Sequence, residues 1–175
     1  MAFDSAVDRG LAYKTGSMAL FIAAAAILTA LGFQYIGGYV PCELCLEQRY
    51  AYYAAIPLLF IALALSSGGN SGWAAALFFA VALALLANAG LGAYHAGVEW
   101  KFWPGPASCG GAPSLATSAG DLVKDLEHIK VFSCTEAAFR FLGLSFAGWN
   151  VVASLIAMVF ALRAAFASSE AHLSA

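Results

Sequence analysis

Four long apolar runs dominate the chain, at about residues 17–37, 44–65, 73–96 and 144–166, and segments rich in glycine, proline or charge separate them. About twenty uncharged apolar residues are needed to cross a hydrocarbon layer of roughly 30 Å as a helix, and each run meets that length. The pattern predicts four membrane-spanning helices. The polar link from Ser66 to Gly72, SSGGNSG, is short enough to join only antiparallel neighbours, so the second and third runs form a helical hairpin. An even number of spans leaves both chain ends on one side. The 38–43 link and the long 97–143 segment then lie on the other side, together with all four cysteines. The first run follows Arg9 and Lys14, as the core of a signal peptide would, but it is longer than such a core and no small-residue cleavage site precedes Tyr39. It is read as a span.

Composition strengthens this picture. Hydrophobic residues make up 62% of the chain and charged residues only 10%, with a mean hydropathy of +0.81, whereas an ordinary soluble domain is about a quarter charged. The expected fold class is an all-α membrane protein, a four-transmembrane-helix bundle forming a single domain over residues 1–175 within the lipid bilayer. A net charge of −2 without any cluster of Lys and Arg excludes a nucleic-acid partner. Charge does not settle orientation: Arg9, Lys14 and Arg163 mark the terminal side, while Lys101, Lys124, Lys130 and Arg140 occupy the long opposite segment. Cysteines that live as disulfides belong in an oxidising compartment, which favours an outward-facing long segment and cytoplasmic termini.

The chemistry concentrates in the cysteines. Pro41-Cys42-Glu43-Leu44-Cys45 opens the second span, with Pro41 suited to the start of a helix. Two thiols at this spacing can close a disulfide, and a helix N-terminus favours a thiolate. Arg49 follows Cys45 by one turn on the same face, positioned to stand beside a thiolate or an acceptor oxygen; the plainer reading is a snorkelling anchor at the headgroups. For Cys42 and Cys45 the plainer readings are a structural disulfide or half of a zinc site. No second close pair exists and His128 is not at a finger spacing, so no metal is expected, and the redox reading is preferred.

The segment after the third span begins with Trp100, Phe102 and Trp103, an aromatic belt at the interface. Glycines and prolines then surround Cys109, placing it on an exposed loop that a partner could reach. Ser118 and Asp121 resemble a capping box, and Leu122, Val123, Leu126 and Ile129 recur at helical spacing. They predict a short amphipathic surface helix in the second outer loop, with Asp121, Lys124, Asp125 and His128 on its polar face and Cys134 just after it. A static Cys109–Cys134 bridge is the alternative to an exchanging pair, which needs one accessible sulfur and one that resolves the mixed species. Asn88, Gly92, His95 and Glu99 form one stripe on the third span. His95 reads either as a dipole-compensating cation or as a functional group beside a cofactor that needs protons. Trp149 and Asn150 read as packing and interhelical hydrogen bonding.

Together P-C-E-L-C-L-E-Q-R at the second span, Y-H-A-G-V-E-W-K-F-W-P-G-P-A-S-C after the third and F-R-F-L-G-L-S-F-A-G-W-N into the fourth resemble the bacterial disulfide bond formation protein B (DsbB) family over nearly the whole chain. The resemblance implies an inner-membrane protein thiol:quinone oxidoreductase that reoxidises a DsbA-like periplasmic thiol oxidase. It implies a cofactor drawn from the membrane quinone pool, ubiquinone or menaquinone. Cys42 and Cys45 would be the membrane-proximal pair, with Cys45 meeting the quinone beside Arg49 and His95, and all four cysteines would face the periplasm. Cys109 would form the mixed disulfide with the partner and Cys134 would resolve it. Glu43 departs from the family pattern, where an apolar residue is common. A vitamin K epoxide reductase type of quinone-linked thiol enzyme is a rival, although its C-x-x-C usually ends a late span. A non-enzymatic membrane scaffold braced by disulfides is another.

Overall fold

The structure is a computed structural model that describes residues 2–106, 134, 137 and 139–174. Four helices follow the four apolar runs: α1 (Ala2–Tyr35), α2 (Glu43–Ser67), α3 (Ser71–Glu99) and α4 (Phe146–Leu173). All four are long and apolar enough to cross a membrane. At 34 residues α1 is about 51 Å long, so it outruns a hydrocarbon layer of roughly 30 Å. Its first turns, with Asp8, Arg9 and Lys14, belong to the same helix as the apolar run. The surface helix expected around residues 118–132 lies outside the described residues.

A short β-hairpin departs from the expectation of no strands. Strands β1 (Arg140–Phe141) and β2 (Leu144–Ser145) pair antiparallel, Arg140 opposite Ser145 and Phe141 opposite Leu144. Leu142 and Gly143 turn between them with φ of 52° and 83°, the doubly left-handed backbone that joins twisted strands through two residues. Two residues per strand carry no alternation to read. The fourth helix accordingly begins at Phe146, not Leu144, and Ser145 caps it by accepting from the Gly148 N–H at 3.3 Å.

Around the bundle α1 packs on α2 and α4, and α3 packs on the same two, which places α2 diagonally across from α4. Buried alanines bring the helices close: Ala19 and Ala23 on α1, Ala74 and Ala82 on α3, Ala157 and Ala161 on α4. Larger Leu59, Phe78 and Leu85 fill the space between them. At Gly16 a methyl group would stand 2.7 Å from the Phe78 ring, so only glycine permits that approach. Outward-facing Phe21, Leu28, Phe60, Trp73 and Phe166 are exposed, whereas Gln48, Asn88, His95, Glu99 and Ser154 are buried. An apolar exterior around polar interior positions suits a lipid solvent, where packing and interhelical hydrogen bonds hold helices together. The chain is a multi-pass membrane protein.

Polar groups join three helices halfway along. Tyr52 on α2 donates to Asn150 Oδ1 on α4 at 2.8 Å and lies 2.8 Å from Ser154 Oγ. Asn88 on α3 donates to the same Ser154 oxygen at 3.0 Å. Asn150 is therefore an interhelical hydrogen-bonding residue, and Trp149 donates to the Phe141 carbonyl at 3.0 Å, fastening the hairpin to α4. The far end of α3 closes with Phe102 N–H bonding Gly97 O at 2.9 Å and Lys101 N–H bonding Val98 O at 3.0 Å, around a left-handed Lys101 with φ 62°.

Candidate redox site

The C-terminal ends of α1 and α3 meet the N-terminal ends of α2 and α4 at one end of the bundle, and the candidate site forms there. Helix α2 starts at Glu43. Pro41 thus precedes the helix instead of opening it, and Cys42 takes the N-cap position with extended backbone, φ −74° and ψ 168°. Its sulfur accepts from the Cys45 N–H at 3.3 Å, the bond that a serine or aspartate oxygen usually makes at this place. Cys-x-x-Cys spacing and N-cap geometry are therefore one arrangement: the cap and its third helical residue face each other. Both sulfurs are half-buried and present as free thiols. Glu43 is exposed and sits in the first turn of α2, where the helix dipole favours its charge.

His95 reaches this pair from α3. Its Nε2 lies 3.7 Å from Cys42 Sγ, and its Nδ1 lies 2.9 Å from Gln48 Nε2. The ring is 2% exposed, and Gln48 is buried beside it. Gln48 decides what His95 can do. With the amide nitrogen donating to Nδ1, the proton sits on Nε2 and points at Cys42, where it steadies a thiolate. With the amide turned over, Nδ1–H donates to the Gln48 oxygen and Nε2 becomes a lone pair facing Cys42, a base for its proton. The Cys42 thiol is pushed well above the ordinary thiol range by hydrogen bonding with the Cys45 side chain and then by burial, against an opposing contribution from His95. Cys42 accordingly holds its proton more firmly than an ordinary thiol.

Glu99, one turn beyond His95, brings Oε1 to 3.9 Å from His95 Nε2, while its Oε2 is buried with no hydrogen-bond partner among the described residues. Arg49 lies one turn below Cys45 on α2, but its guanidinium crosses to α1. There Nη1 donates to Gln34 Oε1 and Nη2 reaches the Ala30 carbonyl at 3.5 Å. Its hydrogen bonds thus go to α1, and none joins it to a sulfur among the described residues. Cys134 is disulfide-bonded and 1% exposed, in a small apolar cluster with Leu44 and Val98 against which Cys42 packs. Cys109 lies outside the described residues, as does His128.

A cleft of about 790 Å³ opens beside the thiols. Cys42, Cys45, Arg49, His95 and Glu99 form its polar end, and it follows α1 back to Phe21, about 20 Å of helix from Gln34. Phe33, Tyr39, Phe139 and Phe146 cluster at its mouth with ring centroids 4.8 to 6.3 Å apart. Asn150 lines it as well, and Asn150 Nδ2 is buried without a partner among the described residues.

A family model described as disulfide bond formation protein DsbB matches residues 14–164. The chain belongs to the DsbB family. Disulfide bond formation protein B of Aromatoleum aromaticum is 31% identical over 160 residues, which is 86% of this chain and 93% of that protein. The protein of the same description from Herminiimonas arsenicoxydans is 34% identical over 161 residues, 87% of this chain and 97% of its own length. No solved structure matches the chain. Membership in the DsbB family and four spanning helices make this a membrane protein of disulfide bond formation, with a disulfide-forming oxidoreductase role.

Sequence reasoning named Cys42, Cys45, Arg49 and His95, and the fold brings all four to one cleft. It missed Gln34 and Gln48. Gln48 sits within the quoted P-C-E-L-C-L-E-Q-R string three residues after Cys45, on the same helix face, and that spacing was the available signal. Nothing in the sequence pairs Gln34 with Arg49.

Proposed function

We propose that this DsbB-family protein is a thiol:quinone oxidoreductase that reoxidises a DsbA-like periplasmic thiol oxidase, with its cysteine end in the periplasm and both chain termini in the cytoplasm. One observation carries the reading: the Cys42–Cys45 dithiol stands between disulfide-bonded Cys134 on one side and an apolar cleft on the other. Electrons delivered to the Cys134 disulfide need only pass between neighbouring sulfurs to reach the membrane-facing pair. The route begins when a partner thiolate attacks Cys109 of a Cys109–Cys134 disulfide and expels the Cys134 thiolate; the partner's second thiol then breaks the mixed disulfide, so the partner leaves as a disulfide and Cys109 and Cys134 are left reduced. Exchange with the first pair then restores the outer disulfide and leaves Cys42 and Cys45 reduced.

The cleft suits a lipid quinone. Its α1 wall is apolar along a length fit for an isoprenoid tail, and its polar end offers the Arg49 guanidinium and the unpartnered Asn150 N–H to carbonyl oxygens. Bound there, ubiquinone or menaquinone would supply a sink for two electrons and two protons. The chain's own part is to present Cys45 as a thiolate at the third position of a capped helix, where backbone N–H groups and the helix dipole favour it. His95, in the tautomer set by Gln48, takes the Cys42 proton as the Cys42–Cys45 bond closes. Arg49, held by Gln34, fixes positive charge at the cleft wall before any negative charge develops, so little reorganisation is needed. The scaffold alternative asks these cysteines only for stability, which leaves the half-buried free dithiol without a purpose.

The full chain in lipid nanodiscs, supplied with a reduced DsbA-like protein and a short-chain ubiquinone analogue, tests the reading. Loss of quinone absorbance matched by partner disulfide formation is expected, abolished in Cys45→Ser and Cys109→Ser. A wild-type protein that transfers no electrons to any quinone while remaining folded would overturn it.

A further inference from the structure

The sulfurs of Cys42 and Cys45 and a ring nitrogen of His95 all lie within 4.8 Å of one another. Sequence spacing offered the pair as half of a zinc site, a reading set aside for want of further ligands, because the third member comes from another helix, 53 positions from Cys42. A tetrahedral zinc ion, with Zn–S about 2.3 Å and Zn–N about 2.05 Å, separates a thiolate sulfur from an imidazole nitrogen by about 3.6 Å. The separation of Cys42 Sγ from His95 Nε2 is 3.7 Å. A second, independent observation points at the same spot: the Glu99 side chain is 6% exposed, lines the same cleft and carries an unpartnered Oε2, with Oε1 3.9 Å from His95 Nε2. A buried carboxylate oxygen without a donor is costly unless a proton or a cation meets it.

We propose that in its dithiol state the Cys42–Cys45 pair, with His95 and Glu99, is a binding site for a single zinc ion. Two thiolates and an imidazole supply three of the soft and borderline donors that a tetrahedral zinc prefers, and Glu99, whose Oε1 stands 3.9 Å from the imidazole nitrogen, supplies the fourth by turning its side chain toward the sulfurs. Both thiols release their protons to solvent as the two Zn–S bonds form, and no electron moves. Gln48 supplies the supporting contact: metal at Nε2 requires the proton on Nδ1, and the Gln48 side-chain oxygen accepts it once the amide is turned. The Cys45 N–H to Cys42 Sγ bond supports one of the two thiolates in the same way. A disulfide between the pair removes both thiolates, so oxidation and zinc exclude each other. Zinc occupancy thus holds the pair reduced, and it lies beyond the electron-transfer reading, whose success or failure does not change whether the metal binds.

The test uses the full chain in nanodiscs without quinone, reduced with a phosphine and desalted, with Zn²⁺ as the probe. A Cys109→Ser/Cys134→Ser protein run beside wild type confines the free thiols to Cys42 and Cys45. About one zinc per chain is expected in both by elemental analysis, together with protection of the two thiols from maleimide and, with Co²⁺ in place of Zn²⁺, thiolate-to-metal charge-transfer bands of a tetrahedral site. Cys42→Ser and Cys45→Ser should lose the metal, and His95→Ala and Glu99→Gln should each weaken it by at least about tenfold. Thiol content and circular dichroism of the apo variants separate metal loss from misfolding. Failure of the double-serine protein to bind zinc at micromolar concentration, or His95→Ala with unchanged affinity, would overturn the proposal.

Discussion

Cys42 Sγ and His95 Nε2 lie 3.7 Å apart, joining the N-cap of α2 to the last turns of α3 across 53 positions of sequence. In the tautomer whose Nδ1–H donates to Gln48, the contact places the Nε2 lone pair at that sulfur. If His95 takes the Cys42 proton as the disulfide closes, His95→Ala slows single-turnover reoxidation of the Cys42–Cys45 dithiol by about 100-fold, the usual scale of one positioned acid–base group. Rapid-mixing with a quinone analogue measures it. An unchanged rate would reduce His95 to a packing residue.

Arg49 is tied to α1 through Gln34 and the Ala30 carbonyl, two acceptors that a planar guanidinium can meet together. A lysine keeps the charge but not the fork. Arg49→Lys should therefore raise KM for a quinone analogue by about tenfold, with the rate of thiol exchange with the protein partner left near wild type. Gln34→Ala should produce a smaller change in the same direction, since it loosens the guanidinium without removing it. A loss confined to thiol exchange would place Arg49 outside the cleft's chemistry.

The four spans were legible because run length and the absence of charge are local properties of the sequence. The redox pair was legible for a similar reason: a C-x-x-C at a helix start is a local arrangement. Partners on different helices were not. Periodicity shows that His95 and Glu99 share a face of α3, yet it does not say which helix that face meets, so neither the Cys42 contact nor the grip of Gln48 could be read. Cys42 as a helix cap was hidden because cysteine seldom takes that place, which put Pro41 inside the helix by expectation. Gln34 looked like a solitary polar residue near the end of an apolar run until the crossing of Arg49 gave it a partner. The β-hairpin escaped because two residues per strand, with a leucine at a left-handed turn position, carry none of the usual signals.

Tyr52 offers a measure of how much polar contacts contribute to this bundle. Its hydroxyl donates to Asn150 Oδ1 and accepts from Ser154 Oγ, each at 2.8 Å, while Asn88 donates to both of those oxygens, at 3.3 and 3.0 Å. Because Asn88 continues to donate, Tyr52→Phe should cost only about 0.6 to 1.7 kcal/mol, in the range of single interhelical hydrogen bonds in membranes. Asn88→Ala in the Tyr52→Phe background should cost more than the sum of the two single changes, since Asn150 Oδ1 then loses both of its donors. Unfolding in mixed micelles measures the four proteins; strict additivity would show that the groups do not act as a network.

Gly97 and Trp103 provide a sharper test of packing at the site's outer rim. A methyl group at Gly97 would stand 2.1 Å from Trp103 Cζ2. The indole cannot slide away freely, because its Nε1 donates to the Tyr94 carbonyl at 3.0 Å and its ring stacks on Tyr94 at 5.9 Å with planes 9° apart. Gly97→Ala must therefore displace the ring or spread α3, at about 1–3 kcal/mol. A helix interior otherwise prefers alanine to glycine by about 1 kcal/mol, so the sign of the effect depends on the indole alone. In a Trp103→Ala background the same Gly97→Ala change should become neutral or stabilising. A double-mutant cycle on thermal unfolding reads the coupling directly, and a Gly97→Ala protein as stable as wild type would mean that the indole does not pack against α3 at this position.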